Sequence, residues 1–378
     1  MAKRAVFEEV AARAKPAAVT GAIDAPRRGS RAAIRLWLMS LFGLVALMIA
    51  VGGLTRLSDA GLSITEWRPL TGALPPATDA DWASEFGKYQ ASPQYQLLNK
   101  GMELADFQRI YWWEWGHRQL GRLIGLVWAA GFAGFLLTRR IPVGWTGRLL
   151  LVGALGGAQG ALGWWMVASG LAGGMVSVAS YRLALHLGLG FTILGFLAHY
   201  AFLLGRSEAE LLAARRVRER RLFRLSRGMS LWVLVQVLLG ALVAGIDAGR
   251  GFTDWPLMAG QLLPPDAFVL QPLWHNFFEN PGLVQFVHRM SGYGLFLYGA
   301  MLWLFARASV HGATRAAFHL MAAMLMVQML LGILTVLYGA PLGLAIAHQG
   351  GAVLLFVLVL RGRFLAAYPL VGSIRRTA

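Results

Sequence analysis

The sequence predicts an all-α polytopic membrane protein, with eight transmembrane helices arranged as two four-helix bundles related by a pseudo-two-fold axis. Three observations predict it. The 378 residues are 57% hydrophobic and only 14% charged, whereas a soluble chain carries about a quarter charged residues. Apolar runs of about 20 residues, the length that crosses a bilayer, occur eight times. Motifs from the first half of the chain also recur, in order, in the second.

The eight runs are approximately Leu36–Leu54, Ile110–Leu137, Leu149–Leu171, Leu183–Leu204, Met229–Ile246, Leu283–Ala306, Ala316–Tyr338 and Gly343–Leu360. They divide the chain into five parts. Residues 1–35 are a basic arm with no small-residue cleavage site, so the first run is not read as a cleaved signal peptide. Residues 36–205 form the first bundle, and 55–109 within it are a long connection read as short amphipathic helices over the mouth of that bundle. Residues 206–228 are an Arg-rich connection, 229–365 the second bundle, and 366–378 a tail.

The net charge of +17 is a matter of topology. Of the 35 Lys and Arg, 25 fall in the arm, the tail and every second connection, and seven in the alternate connections. By the positive-inside rule both termini are cytoplasmic, in the inner membrane of a bacterium. The basic excess is read as orientation and as contact with anionic lipid, and nucleic acid is not expected as a partner. The absence of cysteine excludes disulfides and thiolate ligands.

The repeat is carried by three pairs of motifs. Ile64–Pro76 reads ITEWRPLTGALPP and Phe252–Pro265 reads FTDWPLMAGQLLPP. The third and seventh spans carry Gln159/Gly163 and Gln328/Gly332, each pair at i, i+4. The second and sixth share His-Arg-x-x-Gly at His117, Arg118, Gly121 and at His288, Arg289, Gly292. An even number of spans per unit makes the repeats parallel, about an axis along the membrane normal.

Counted inward from the periplasmic side, His117, His186, His288 and His348 all lie roughly 5–10 Å below the boundary. Each half thus has one histidine pair on two parallel helices. Facing imidazoles across a bundle are how a b-type haem iron is held. Gly121, Gly125, Gly190, Gly292, Gly350 and Gly351 follow at helical spacing and are expected to leave room for a flat macrocycle. His199, His275, His311 and His319 lack the pattern and are read as structural. One difference separates the halves: Glu114 stands three residues before His117, and Gln285 three before His288. Arg118 and Arg289 are expected to meet haem propionates or lipid phosphates.

Glu114-x-x-His117-Arg118, the GLSITEW stretch (Gly61–Trp67), the two-bundle repeat and the four histidines together resemble haem A synthases of the alphaproteobacterial and mitochondrial branch. The resemblance covers the first span through the eighth. It implies oxidation of the C8 methyl group of haem O to a formyl group, giving haem A for cytochrome oxidase. It further implies that His288 and His348 ligate a resident haem b, and that His117 and His186 bracket the substrate haem iron. Glu114 is then the acid–base residue, since each oxidation releases protons that a nearby base takes up. Haem O synthase is the partner it suggests, with an electron acceptor such as a quinone and possible self-association. Two other readings of the residues stay open: a quinol-linked di-haem electron carrier, and a haem transporter or chaperone.

Overall fold

The computed structural model describes residues 25–370. Among these the protein is helical, with no strand beyond one isolated bridge between Met258 and Gln261. Eight long helices carry the fold: α1 (Ala25–Leu57), α4 (Leu104–Leu137), α5 (Thr146–Gly170), α6 (Ser180–Leu204), α8 (Arg220–Gly245), α10 (Pro281–Arg307), α11 (Gly312–Leu337) and α12 (Leu342–Ala367). Shorter ones join them: α2 (Asp79–Gln90), α3 (Pro93–Leu97), α7 (Glu208–Arg216) and α9 (Asn276–Glu279). Most of the basic arm, residues 1–24, and the tail from residue 371 lie outside the described residues.

Seven of the long helices are long and apolar enough to cross a membrane. This makes the chain a multi-pass membrane protein. The exception among the eight expected spans is α10. It has 27 residues, ample for a crossing, but Gln285, His288, Arg289 and Ser291 interrupt its apolar run. Its polarity comes from the residues on which the site below depends. Helix α1 starts well before Leu36, and α8 begins inside the Arg-rich stretch, so both connections are shorter than composition suggests.

Within the first half, α1 packs on α4 and α6, and α5 on α4 and α6; within the second, α8 packs on α10 and α12, and α11 on α10 and α12. The halves meet through α6 on α8, α6 on α12 and α1 on α12. The sequence fits this plan. On α1 the buried residues Ile34, Leu38, Leu41, Val45 and Ile49 recur every three or four positions, which is one face of a helix. That face joins Phe191, Leu194 and Leu197 of α6, Met229 and Val233 of α8, and Phe356 and Val359 of α12 in one core. Phe191 and Phe356 meet edge to face across the join at 5.6 Å. By contrast α4 and α5 leave Leu126, Leu137, Leu150 and Trp164 exposed, as surfaces bathed in lipid do.

At the histidine end the join is closed by polar and backbone contacts. A Cβ on Gly245 would lie 2.7 Å from Cα of Ser180, so only glycine permits that approach. Arg56, at the end of α1, donates to Asp59 at 2.9 Å, to Asp247 of the other half at 2.9 Å and to the Gly245 carbonyl at 3.2 Å. Asp59 and Asp247 occupy matching places in the repeat, and both have φ of 53°, in the left-handed region. Arg56→Gln is expected to cost on the order of 1 kcal/mol, as a partly exposed ion pair should. The check is thermal melting in detergent at low and high salt. The deficit should shrink as salt rises, because screening already weakens the wild-type pair.

Candidate functional site

Helix α4 and helix α10 deliver the two halves of the repeated site. Each carries an acid or amide, then a histidine three residues on, then an arginine, so these side chains fall on one face within a turn. The Glu114 side chain is buried, 3% exposed. Its Oε2 accepts the Ser63 hydroxyl and the Ile64 backbone N–H, both at 2.8 Å. Its Oε1 accepts two bonds from Arg118, at 2.7 and 3.2 Å. Arg118 also donates to the carbonyls of Ile64 and Glu66, at 2.8 and 3.0 Å, and lies over the Trp67 ring at 5.8 Å. The ITEW stretch and the Glu-x-x-His-Arg stretch, about 50 residues apart in sequence, are therefore one structural unit.

The second half repeats this with the polarity of one bond reversed. Gln285 donates to the Phe252 carbonyl at 3.1 Å and accepts from Arg289 at 3.3 Å. Arg289 donates to the carbonyls of Phe252, Asp254 and Leu257. An acid in place of Gln285 would set oxygen against oxygen at Phe252. Both arginines fasten the connections, and Arg289 keeps its buried Nε without a protein partner. Gln119 and Arg122 fasten residues 68–73 in the same way.

The connections are themselves ordered. Thr78 and Asp81 form a reciprocal cap at the start of α2, and α2 packs on α4, with Tyr89, Phe107 and Tyr111 buried together. Lys88 donates to Glu66 at 3.1 Å and to Glu85 at 2.7 Å. That bond from Lys88 is the main cause holding the Glu66 carboxyl below its ordinary range. At the matching place Asp254 is lowered by the backbone N–H of Gly260.

The four histidines come together as two pairs. His117 and His186 stand on α4 and α6 of the first half, and His288 and His348 on α10 and α12 of the second. Each ring rests on a glycine of a neighbouring helix. A Cβ would lie 3.2 Å from His117 if placed on Gly52, 3.0 Å from His186 on Gly163, 3.1 Å from His288 on Gly240 and 3.1 Å from His348 on Gly332. Glutamines four residues before three of those glycines hold the histidine backbones. Gln159 donates to the His186 carbonyl at 3.0 Å, Gln236 to that of His288 at 2.9 Å, and Gln328 to that of His348 at 2.8 Å. The Gln-x-x-x-Gly spacing thus has a purpose: the amide anchors a histidine and the glycine admits its ring.

The glycines expected to flank a macrocycle serve this arrangement in most cases. A Cβ on Gly121 would meet Met48, on Gly292 Gln236, on Gly351 Gln328 and, less closely, on Gly190 Gln159. Gly125 and Gly350 face open space. Several buried polar atoms have no protein partner: Oε1 of Gln159, Gln236 and Gln328, Nδ1 of His186, and Nε and Nη1 of Arg182. Arg182, one turn before His186 and lying over Trp165 at 5.0 Å, is a site residue that spacing does not single out, because nothing matches it in the second half. These atoms suit a haem held between two imidazoles. A histidine bound through Nε2 turns its Nδ1–H to an acceptor, and an unpaired guanidinium suits a propionate.

The remaining histidines stand apart. His319 accepts from Trp303 at 2.8 Å and His311 lies near Glu219. His275 packs on Trp274. His199, thirteen residues beyond His186 on α6 and so about 20 Å along the axis, lines a separate cavity of about 150 Å³ with Arg215, Arg218 and Arg363.

Fold and site together define an all-helical, multi-pass membrane protein with an internally repeated two-histidine site. The chain belongs to the cytochrome oxidase assembly protein family, whose model matches residues 35–360. It is 62% identical to the protein named "Heme A synthase" of Ruegeria sp. (strain TM1040), over 99% of this chain and 100% of that one. It is 59% identical to the protein of the same name from Paracoccus denitrificans (strain Pd 1222), over the full length of both.

Proposed function

We propose that the protein is a haem A synthase, oxidising the C8 methyl group of haem O to a formyl group to give haem A for cytochrome oxidase. The observation that carries this is the unequal repeat: two histidine pairs in matching frames, only one of them beside a buried carboxylate. The family and the names of the relatives favour this reading over an electron carrier or a transporter.

In this reading α10 is the eighth span, and the long helices form two bundles related by an axis along the membrane normal. The termini face the cytoplasm, and the histidine end faces the periplasm across the bacterial inner membrane. The bundles are residues 36–205 and 229–365, joined by 206–228. His117 and His186 bracket the iron of haem O, with Arg182 toward its carboxylates. His288 and His348 hold a resident haem b, which supplies one-electron redox chemistry when bound.

With water supplying the oxygen, methyl becomes hydroxymethyl and then a hydrated aldehyde, which loses water to leave the formyl group. Each of the two oxidations passes two electrons to an acceptor and releases two protons. The Glu114 carboxylate takes them at Oε2, where the Ser63 hydroxyl can rotate from donor to acceptor. Arg118 neutralises Oε1 and fixes the carboxylate plane by two bonds. Gln285 has no proton affinity of this kind, so the second half binds and does not react. The chemistry requires a supply of haem O, for which haem O synthase is the proposed partner, and an electron acceptor, for which a quinone is one candidate.

Extraction and chromatography of the haems in purified protein test the function. Resident haem B together with haem O, its hydroxylated intermediate or haem A is the expected result. Haem B alone, from cells that make haem O, overturns it.

A further inference from the structure

The two histidine sites differ at a second place, on the helices that face them. Helices α5, α8 and α11 carry Gln159-x-x-x-Gly163, Gln236-x-x-x-Gly240 and Gln328-x-x-x-Gly332. In α1 the same spacing reads Met48-x-x-x-Gly52. That Met48 is the counterpart of Gln236 follows from the contacts. Cε of Met48 would lie 3.2 Å from a Cβ on Gly121, and Nε2 of Gln236 3.2 Å from one on Gly292. Gly52 and Gly240 also lie against the rings of His117 and His288, the first at the Nε2–Cδ2 edge and the second nearest Cε1. Met and Gln side chains are of similar length and size, so the main difference between the halves at this place is the lost hydrogen bonding.

That loss falls on one histidine. The Gln236 amide lies 3.1 Å from Nδ1 of His288, and the Gln328 amide 3.1 Å from Nδ1 of His348. In both the atom facing Nδ1 is the amide nitrogen; turning the amide over would present its buried, unpartnered oxygen to an Nδ1 proton. Gln159 holds the backbone of His186, with its own Oε1 and the ring Nδ1 both buried and unpartnered, a complementary acceptor and donor. At the place in α1 that corresponds to these glutamines stands the Met48 thioether, which donates nothing and accepts weakly. Among the described residues no glutamine amide holds the His117 carbonyl as one holds those of His186, His288 and His348. A metal-bound histidine depends on the partner of its second nitrogen for orientation and basicity, and losing that partner typically lowers metal affinity about 10–100-fold.

We propose that Met48 is a specificity-determining residue that makes the first site exchangeable: it leaves His117 the less firmly held of the four histidines, so a haem held there would depart while one held by His288 and His348 would stay. This rests on the reading that the two pairs hold haems. An enzyme that must release its product and retain its cofactor needs such a difference between two otherwise matching sites.

The test follows haem loss in the absence of turnover. Protein from cells making haem B and haem O is mixed anaerobically with excess apomyoglobin, and the haems remaining are separated by chromatography. Haem O, with any oxidised product, is expected to leave the wild type well before haem B. Met48→Gln should slow that departure about 10–100-fold, and Gln236→Met should speed the loss of haem B by a similar factor. Met48→Leu, which restores no hydrogen bond, should change neither rate. Unchanged release of haem O from Met48→Gln, or slowing by Met48→Leu as well, overturns the role of Met48 and leaves the proposed function standing. A wild-type protein that binds neither haem overturns the function and this inference with it.

Discussion

Glu114→Gln is expected to lower haem A output by about 10²–10⁴-fold, the usual contribution of a general base, while the protein folds and keeps its haem b. The second half shows why the fold survives. There Gln285 occupies the same place beside Arg289, also buried, with a 3.3 Å bond between them. In the first half an amide cannot accept from Arg118, Ser63 and Ile64 together, so one buried donor loses its partner at a cost of about 1–3 kcal/mol. Melting temperature and haem b content per protein measure that loss independently of activity. The assay is haem A per mole of protein in cells that make haem O and lack another synthase. Near-normal output would reduce Glu114 to a structural anchor for the Ser63–Trp67 turn. The reciprocal variant Gln285→Glu should keep its activity per folded molecule but melt lower, because the new carboxylate would face the Phe252 carbonyl.

The second large effect concerns the resident haem. Replacing His288 or His348 with Ala should abolish or strongly alter the low-spin haem b spectrum of the purified protein. A haem held by these two histidines would lose one of its imidazoles, and the spectrum would change with it. His199→Ala should leave the spectrum intact, because His199 lines a different cavity near Arg215 and Arg363. A variant lacking both His288 and His348 that retained the wild-type spectrum would show that the haem lies elsewhere.

Much of this site is legible in the sequence, for a physical reason. Helical periodicity fixes which residues share a face, so Glu114, His117 and Arg118 are neighbours wherever their helix packs. The internal repeat then pairs His117 with His288 and His186 with His348, and the matched depths bring the pairs together. Periodicity does not say which neighbouring helix a face meets. The spacing of Gln236 and Gly240 is as plain in the sequence as that of Gln159 and Gly163. Its meaning appears only when α8 is seen against α10. For the same reason Gly121, Gly292 and Gly351 look like space for a macrocycle and in fact admit Met48, Gln236 and Gln328. That Arg118 and Arg289 fasten the connections is not legible, because backbone carbonyls, their partners here, leave no trace in side-chain patterns. The polarity of α10 misleads in the other direction, since the residues that build its site also weaken its apolar signal.

The contacts between the halves bear on how the chain is wired. Arg56 reaches Asp247, Gln349 donates to the Ile49 carbonyl at 2.5 Å, and α6 lies along α8; each of these joins the halves without using residues 205–219. That segment adds bonds of its own, from Arg31 to the Arg206 carbonyl, from Arg206 to Tyr368 and from Ser309 to Glu219, but the three clasps do not depend on it. A polypeptide severed within it, or made from the outset as two separately translated pieces, retains every one of those three clasps. Covalent continuity at this point serves delivery of both halves in equal number, and the architecture rests on surfaces that two independent chains would also possess.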